Sequence, residues 1–290
     1  MKRSHIITAL LMCFACTIQI SMAQSKGDLI GIGDGIVDGN YIGGLYNYDP
    51  SAYTVFNGKT EKPTATVGTT QELIDAVKNA HEGAVIYLKD DASFDLSDAS
   101  PLVIPAGVTL CSGRGVNKSL GALVFSTNMK TAPMFQIAAN NVKITGLRVK
   151  GPDGEMGNQS YGKPNSWGIQ VYGKNVTIQN CEIFNWSHSG IHVRKGGNCV
   201  IDHNYIHHNQ RFGLGYGIDI EEGYAKVRGN LFDYNRHAIA GSGKPGTSYS
   251  ADYNVCLPHS SLQGHEFDMH GGVDRKDGTN VAGDSLRINN

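Results

Sequence analysis

The sequence predicts an all-β solenoid, a chain wound into stacked coils with a short helix at its N-terminal end. Three observations carry this. Five segments share one strand-like alternation: Trp167-Gly-Ile-Gln-Val-Tyr172, Ser189-Gly-Ile-His-Val-Arg194, Tyr216-Gly-Ile-Asp-Ile-Glu221, His237-Ala-Ile-Ala-Gly-Ser242 and Glu266-Phe-Asp-Met-His270. Irregular repeats of this size mark an architecture in which each repeat is one coil. The residues Ile178, Ile201, Val227 and Ala251 follow one another at steps of 23, 26 and 24. Glycine is abundant, at 37 of 290 residues, and helical periodicity is scarce, which favours strands joined by turns.

The elements follow in order. Lys2 and Arg3, the apolar stretch from Ile6 to Ile20 and the small-residue site Ser21-Met22-Ala23 form a secretory signal peptide over residues 1–23. No other segment is long and apolar enough to cross a bilayer as a helix. Residues 24–65 are rich in Gly, Asp and Tyr without periodicity, and read as a linker or an arm along the body. Thr69-Thr-Gln-Glu72 is a capping box, and Leu73, Ile74, Val77 and Ala80 give an amphipathic helix over about 70–81. A helix here suits a cap over the open end of the solenoid. Ala84–Leu88, Pro101–Ile104 and Val108–Leu110 read as strands, and coils then follow to residue 290. Leu286-Arg-Ile-Asn-Asn290 begins a further coil, which predicts a chain truncated before its C-terminal cap.

Each coil anchor is followed three residues later by Cys181, Asn204, Asn230 or Asn254. Asparagine there tolerates a left-handed turn, and stacked amides can hydrogen-bond along the solenoid. Export permits disulfides among Cys111, Cys181, Cys199 and Cys256. The coil alignment instead favours buried, unpaired thiols, because Cys199 falls level with Val176 and Cys181 with the asparagine column.

The cap helix, the coil length, the asparagine positions and the alternating strands resemble the right-handed parallel β-helix of the pectate-lyase-like superfamily, over roughly residues 65–290. The resemblance implies a secreted carbohydrate-active protein. Its relatives include polysaccharide lyases, glycoside hydrolases, uronate epimerases, esterases and phage tailspikes, so fold alone does not choose the activity. Tyr216-Gly-Ile-Asp219 is similar to the start of the Tyr-Gly-Phe-Asp-Pro-His-Asp motif of alginate epimerases. The remaining positions here are Ile220, Glu221 and Glu222, so the motif's His and second Asp are missing and the assignment does not carry over. The Asn-Thr-Asp, Asp-Asp and Gly-His-Gly set of polygalacturonases is also absent.

Strand alternation sends Ile169/Val171, Ile191/Val193, Ile218/Ile220, Ile239 and Phe267/Met269 inward. The first outward column is then Gln170, His192, Asp219, Ala240, Asp268, and the second is Tyr172, Arg194, Glu221, Ser242, His270. Nine of the eleven histidines lie between His188 and His270, which concentrates titratable groups in these coils. His207 and His208 are expected in a solvent-exposed turn, and His203 beside the asparagine column in a structural role.

Three chemistries fit the columns. In the first, a uronic-acid polymer undergoes β-elimination or epimerisation. That needs a cation on the sugar carboxylate, a base for the C5 proton and an acid for the leaving oxygen. His192, His237 or His270 would be the base, Arg194, Arg236 and Lys195 would bind the carboxylate, and Asp219, Glu221 and Asp268 would hold Ca²⁺ or act as acid and base. In the second, Asp219 and Asp268 hydrolyse a glycosidic bond with inversion. Two coils separate them by about 9.6 Å, near the upper end of the roughly 6.5–9.5 Å that inverting carboxyl pairs need. In the third, His265, Asp268 and His270 hold a transition metal such as Zn²⁺. Trp167, Trp186, Tyr161, Tyr172 and Tyr216 would offer sugar-stacking faces. A glycan-binding or adhesin surface without catalysis uses the same columns. Without Lys2 and Arg3, the 25 basic residues fall to 23 against 26 acidic, a net charge of −3 that argues against nucleic acid as partner. The partner expected is a polysaccharide.

Overall fold

The computed structural model describes residues 36–37, 40–44, 63–154, 164–259, 265–271 and 282–289. The expected signal peptide, Tyr161 and most of residues 24–65 lie outside the described residues. Three parallel sheets run the length of the body. Each coil gives one strand to each sheet in turn. One coil runs through Val176–Gln179, Glu182–Phe184 and Ser189–Arg194, and Asn198–Asp202 then stacks on Val176–Gln179. The expected anchors are register partners: Ile178 with Ile201, Ile201 with Val227, and Val227 with Ala251.

One continuous apolar core fills the bore. Ile144, Ile178, Ile201 and Val227 enter it from one sheet, Val149, Ile183 and Ile206 from the second, and Ile169, Ile191, Ile218 and Ile239 from the third. Each fully buried aliphatic side chain contributes about 1.5–3 kcal/mol, so the stacked columns supply the cohesion between coils. Trp186 is fully buried in this core, and its Nε1–H donates to Val149 O at 3.3 Å. It is therefore a packing residue and not a sugar-stacking face.

The helix spans Thr70–Lys78, with Thr69 Oγ1 accepting from the Glu72 N–H at 3.3 Å and Glu72 Oε2 accepting from the Gly68 N–H at 2.7 Å. Leu73 and Val77, four residues apart, are its buried face. It stops three residues earlier than expected because Asn79 turns its side-chain amide onto Asp75 O, at 2.8 Å.

Asparagine stacking runs as expected. Asn204 Nδ2 donates to Asn230 Oδ1 at 2.9 Å, Asn230 Nδ2 to Asn254 Oδ1 at 3.0 Å, and the Cys181 N–H to Asn204 Oδ1 at 2.9 Å. The left-handed backbone, however, belongs to the preceding residue in each coil: Asn180, His203, Gly229 and Tyr253 have φ near +51° to +60°. Asparagine is selected here for its amide, which also reaches the carbonyl of the previous coil, as Asn230 does Ile201 O at 2.9 Å. A second such pair, Asn209 and Asn235, joins through a 2.9 Å amide bond on the next corner.

Cys111, Cys181 and Cys199 are buried and no disulfide joins the four described cysteines. His207 is not in an exposed turn. It belongs to the strand Tyr205–His207, is buried, and stacks between Phe184 and Tyr205 at ring separations of 4.9 and 4.0 Å, while His208 stacks on Tyr234 at 4.6 Å. Parallel pairing of successive coils puts rings at equivalent positions face to face, which removes them from water. Within the N-terminal arm, Ile42 packs against Tyr205 and Leu231, and the Gly43 N–H donates to Gly229 O at 2.9 Å. Gly44 has φ +85°, and a Cβ there would come within 2.5 Å of Asn180 Oδ1, so only glycine fits this docking point.

Candidate active site in the groove of the third sheet

The third sheet carries Trp167–Val171, Ser189–Arg194, Tyr216–Glu221, His237–Gly241 and Phe267–Met269 as successive neighbours. Its register aligns Gln170 with His192, His192 with Asp219, Asp219 with Ala240, and Ala240 with Asp268. Arg194 pairs with Glu221 in the second column. Gly168, Gly190 and Gly217 are the second residues of the first three strands, where the coils approach closely: a Cβ on Gly217 would lie 2.7 Å from Ala238 O.

Two side-chain clusters form on this face, separated by Ala240. In the first, His192 Nε2 lies 3.1 Å from Asp219 Oδ2, off hydrogen-bond alignment, and 3.8 Å from Glu221 Oε2. His188 stacks on His192 at 5.5 Å, with Nδ1 4.0 Å from Asp219 Oδ2. Trp167 sits against both imidazoles, at 5.1 and 5.8 Å. Arg194 Nη2 lies 2.5 Å from Glu221 Oε2, and Lys244 Nζ binds the other carboxylate oxygen.

Burial, reinforced by the Glu221 charge, pushes the Asp219 carboxyl up to about 7. Burial also pushes His188 down to about 4, with the Arg194 charge adding to it. His192 is held well below the ordinary imidazole range by burial, His188 and Arg194. Burial works to raise Glu221, but Lys244 and Arg194 outweigh it and keep its carboxyl low. At neutral pH the cluster thus holds neutral imidazoles, a carboxyl poised between its two forms, and a carboxylate clamped between two cations.

In the second cluster, Asp268 Oδ2 lies 3.1 Å from His270 Nε2 and 3.4 Å from His265 Nε2. The His270 contact, together with His265, lowers the Asp268 carboxyl to about 2 against the opposing effect of burial. His237 is fully buried, stacks on His265 at 4.1 Å, and bonds through Nδ1 to His265 O at 2.9 Å. Arg236 lies over the Tyr216 ring at 5.6 Å, and its Nη1 is 3.4 Å from the Tyr216 hydroxyl.

Of the residues expected from the sequence, the structure places His192, Arg194, Asp219 and Glu221 in one cluster and His237, Asp268 and His270 in the other, with Trp167, Tyr216 and Arg236 near the same sheet. Tyr172 stands one residue beyond its strand, half-buried. The sequence does not single out His188 for the site, and it points to Lys244 only within the Gly-rich stretch 235–246, as part of a candidate anion-binding loop. His188 precedes its strand by one residue and Lys244 lies in the turn after its strand, so strand alternation places neither. Asp219, Glu221 and Asp268 do not converge as a Ca²⁺ trio, since Glu221 is engaged by Arg194 and Lys244 and Asp268 lies two strands from Asp219. Among the described residues, the ligand atoms that do converge are those of His237, His265 and Asp268.

Residues 127–254 match the sequence model of a family described as right handed beta helix region. With the three stacked parallel sheets, this makes the fold of the described body a right-handed parallel β-helix. No curated protein sequence matches it. Solved structures similar to the β-helix include an alginate lyase from Paenibacillus sp. str. FPU-7, at 16% identity and TM-score 0.48, covering 78% of this chain and 76% of that one. The A-module of a mannuronan C-5 epimerase from Azotobacter vinelandii is 16% identical with TM-score 0.47, over 76% of this chain and 57% of that one. The Dettilon tailspike protein is 15% identical with TM-score 0.47, over 69% and 42%. No helix among the described residues of the β-helix is long and apolar enough to cross a membrane.

Proposed function

We propose that this β-helix is an exported enzyme that cleaves an acidic polysaccharide by β-elimination at a uronic-acid residue. The observation that carries the reading is Asp219 set against the stacked His188–His192 pair, beside cations that outnumber the carboxylate between them. Glu221 has two cationic partners, Arg194 and Lys244, so this part of the groove keeps a net positive charge for a sugar carboxylate.

The roles follow from geometry and protonation. His188 is the reachable ring, with a side chain 15% exposed against 3% for His192. Neutral His188 takes the C5 proton, made more acidic when Arg194 and Lys244 neutralise the adjacent carboxylate. The C5–H electron pair becomes the C4–C5 double bond, and the C4–O bond breaks. Protonated Asp219 delivers its proton to the leaving oxygen. His192 positions both partners from behind, and Trp167 offers a face for the sugar ring. Lys2, Arg3 and the apolar stretch after them support export.

Hydrolysis is the second reading, favoured by Asp219 and Asp268 sharing one column two strands apart. A panel of uronic-acid and neutral glycans, with and without Ca²⁺ or a chelator, separates the readings. Elimination gives an unsaturated product that absorbs in the ultraviolet. Reducing ends without that absorbance would mean hydrolysis, and binding without either would mean a glycan-binding surface. Either result overturns the elimination reading.

A further inference from the structure

The second cluster of the groove has the donor set and support of a metal site. One ligand atom from each of His237, His265 and Asp268 lies within 4.8 Å of the other two. His265 Nε2 and Asp268 Oδ2 are 3.4 Å apart, already the separation that two ligands take around a tetrahedral ion with bonds of about 2.0–2.1 Å. The independent observation is His237. It is fully buried, its Nδ1 is committed to His265 O at 2.9 Å, and its Nε2 is buried with no hydrogen-bond partner. A lone pair so placed costs free energy unless something occupies it. A carbonyl on Nδ1 is the outer partner that metal-bound histidines ordinarily have, because it fixes the tautomer with the lone pair on Nε2. The segment bearing Asp268 is itself anchored, since the Tyr249 hydroxyl donates to Asp268 O at 2.9 Å.

We propose that His237, His265 and Asp268 bind a divalent transition-metal ion, Zn²⁺ or a chemically similar cation, in the groove. Two imidazole nitrogens and one carboxylate oxygen suit such an ion and are poor ligands for Ca²⁺, which takes six to eight oxygens. Three protein ligands leave a coordination position open, as sites that accept a substrate or water do. Asp268 shares its column with Asp219, so the ion would sit in the same groove as the His188–His192–Asp219 cluster. The site does not depend on the elimination reading, because it is defined by protein ligands alone.

The test measures ion binding without any glycan. The purified chain is stripped with a chelator and titrated with Zn²⁺ by calorimetry and with Co²⁺ by visible absorption. One equivalent should bind, with the visible bands of Co²⁺ coordinated by nitrogen and oxygen, and excess Ca²⁺ should not displace it. His265→Ala and Asp268→Asn should each weaken binding by more than about tenfold, and the control His259→Ala should leave it unchanged. Circular dichroism of each variant checks that the fold is kept. His265 is exposed, so its loss should leave the coils intact. No uptake by the wild type, displacement by Ca²⁺, or equal binding by His265→Ala and Asp268→Asn would overturn the proposal. Glycan turnover has no bearing on this outcome, so the two readings fail separately.

Discussion

His192 Nε2 and Asp219 Oδ2 are 3.1 Å apart on adjacent coils, although 27 residues separate them in the chain. The solenoid makes them register partners, and burial then sets their protonation. The two low-pKa imidazoles beside Asp219 leave it as the group that titrates near neutrality.

Asp219 gives the molecule a stability term with a definite sign. Its folded pKa of about 7 lies above the unfolded carboxyl value, so the folded state binds the extra proton between about pH 4 and pH 7. That stabilisation is full below the unfolded pKa and is lost as pH rises through 7, on the order of 4 kcal/mol at most. His188 and His192 act oppositely, because their lowered pKa values remove stability as pH falls below the ordinary imidazole range. Glu221, Arg194, Lys244 and His270 also face Asp219 electrostatically. Comparing Asp219→Asn with wild type isolates the carboxyl. The variant should gain stability relative to wild type from pH 4.5 to pH 8 in urea unfolding, and a relative loss would contradict the assignment.

Glu221→Gln should shift the pH dependence of turnover. Removing the Glu221 charge relieves the repulsion that helps raise Asp219. The fall in kcat/KM on the alkaline side, where Asp219 ceases to be an acid, should then begin at lower pH. Arg194 and Lys244 would also lose their shared anchor, so kcat/KM should drop by about tenfold or more, as when a charged hydrogen-bond partner is removed. A profile that keeps its alkaline midpoint would separate Glu221 from the acid.

Asn230→Ala should destabilise the solenoid without touching the groove. The Asn230 amide bonds to Ile201 O at 2.9 Å and Asn254 Oδ1 at 3.0 Å, and its oxygen accepts from the Asn204 N–H at 2.8 Å. Leaving those buried groups unpaired costs about 2–4 kcal/mol, and Tm should fall by roughly 5–15 °C for a chain of this size. An unchanged Tm would show that the column carries little of the stability.

Trp167→Ala should raise KM more than it lowers kcat, since the ring offers binding surface and contacts His188 and His192 without bonding to them. Trp167→Phe should recover most of the loss. A fall in kcat alone would make Trp167 a positioning residue for the imidazoles.

The scaffold was legible because it is periodic. Ile178, Ile201, Val227 and Ala251 could be aligned by eye, and the outward column from Gln170 to Asp268 followed from strand alternation. Residues off the strands were not legible. His188 and Lys244 reach the groove from turns, where side-chain direction depends on local backbone and not on a period of two. His207 was misplaced because it lies next to a turn, while stacking on Phe184 and Tyr205 buries it. The left-handed corners fell on His203, Gly229 and Tyr253, which share no side-chain chemistry, and only the asparagine that follows each of them made the corner visible.

In the proposed reaction, Asp219 and its imidazoles perform elimination on an acidic glycan. The most direct measurement is ultraviolet absorbance of product from wild type and Asp219→Asn on the same uronic-acid polymer, with reducing ends assayed in parallel. Wild type should give an unsaturated product, and the variant should be slower by about 10²–10⁴. Reducing ends without ultraviolet absorbance, or an Asp219→Asn enzyme as fast as wild type, would contradict it.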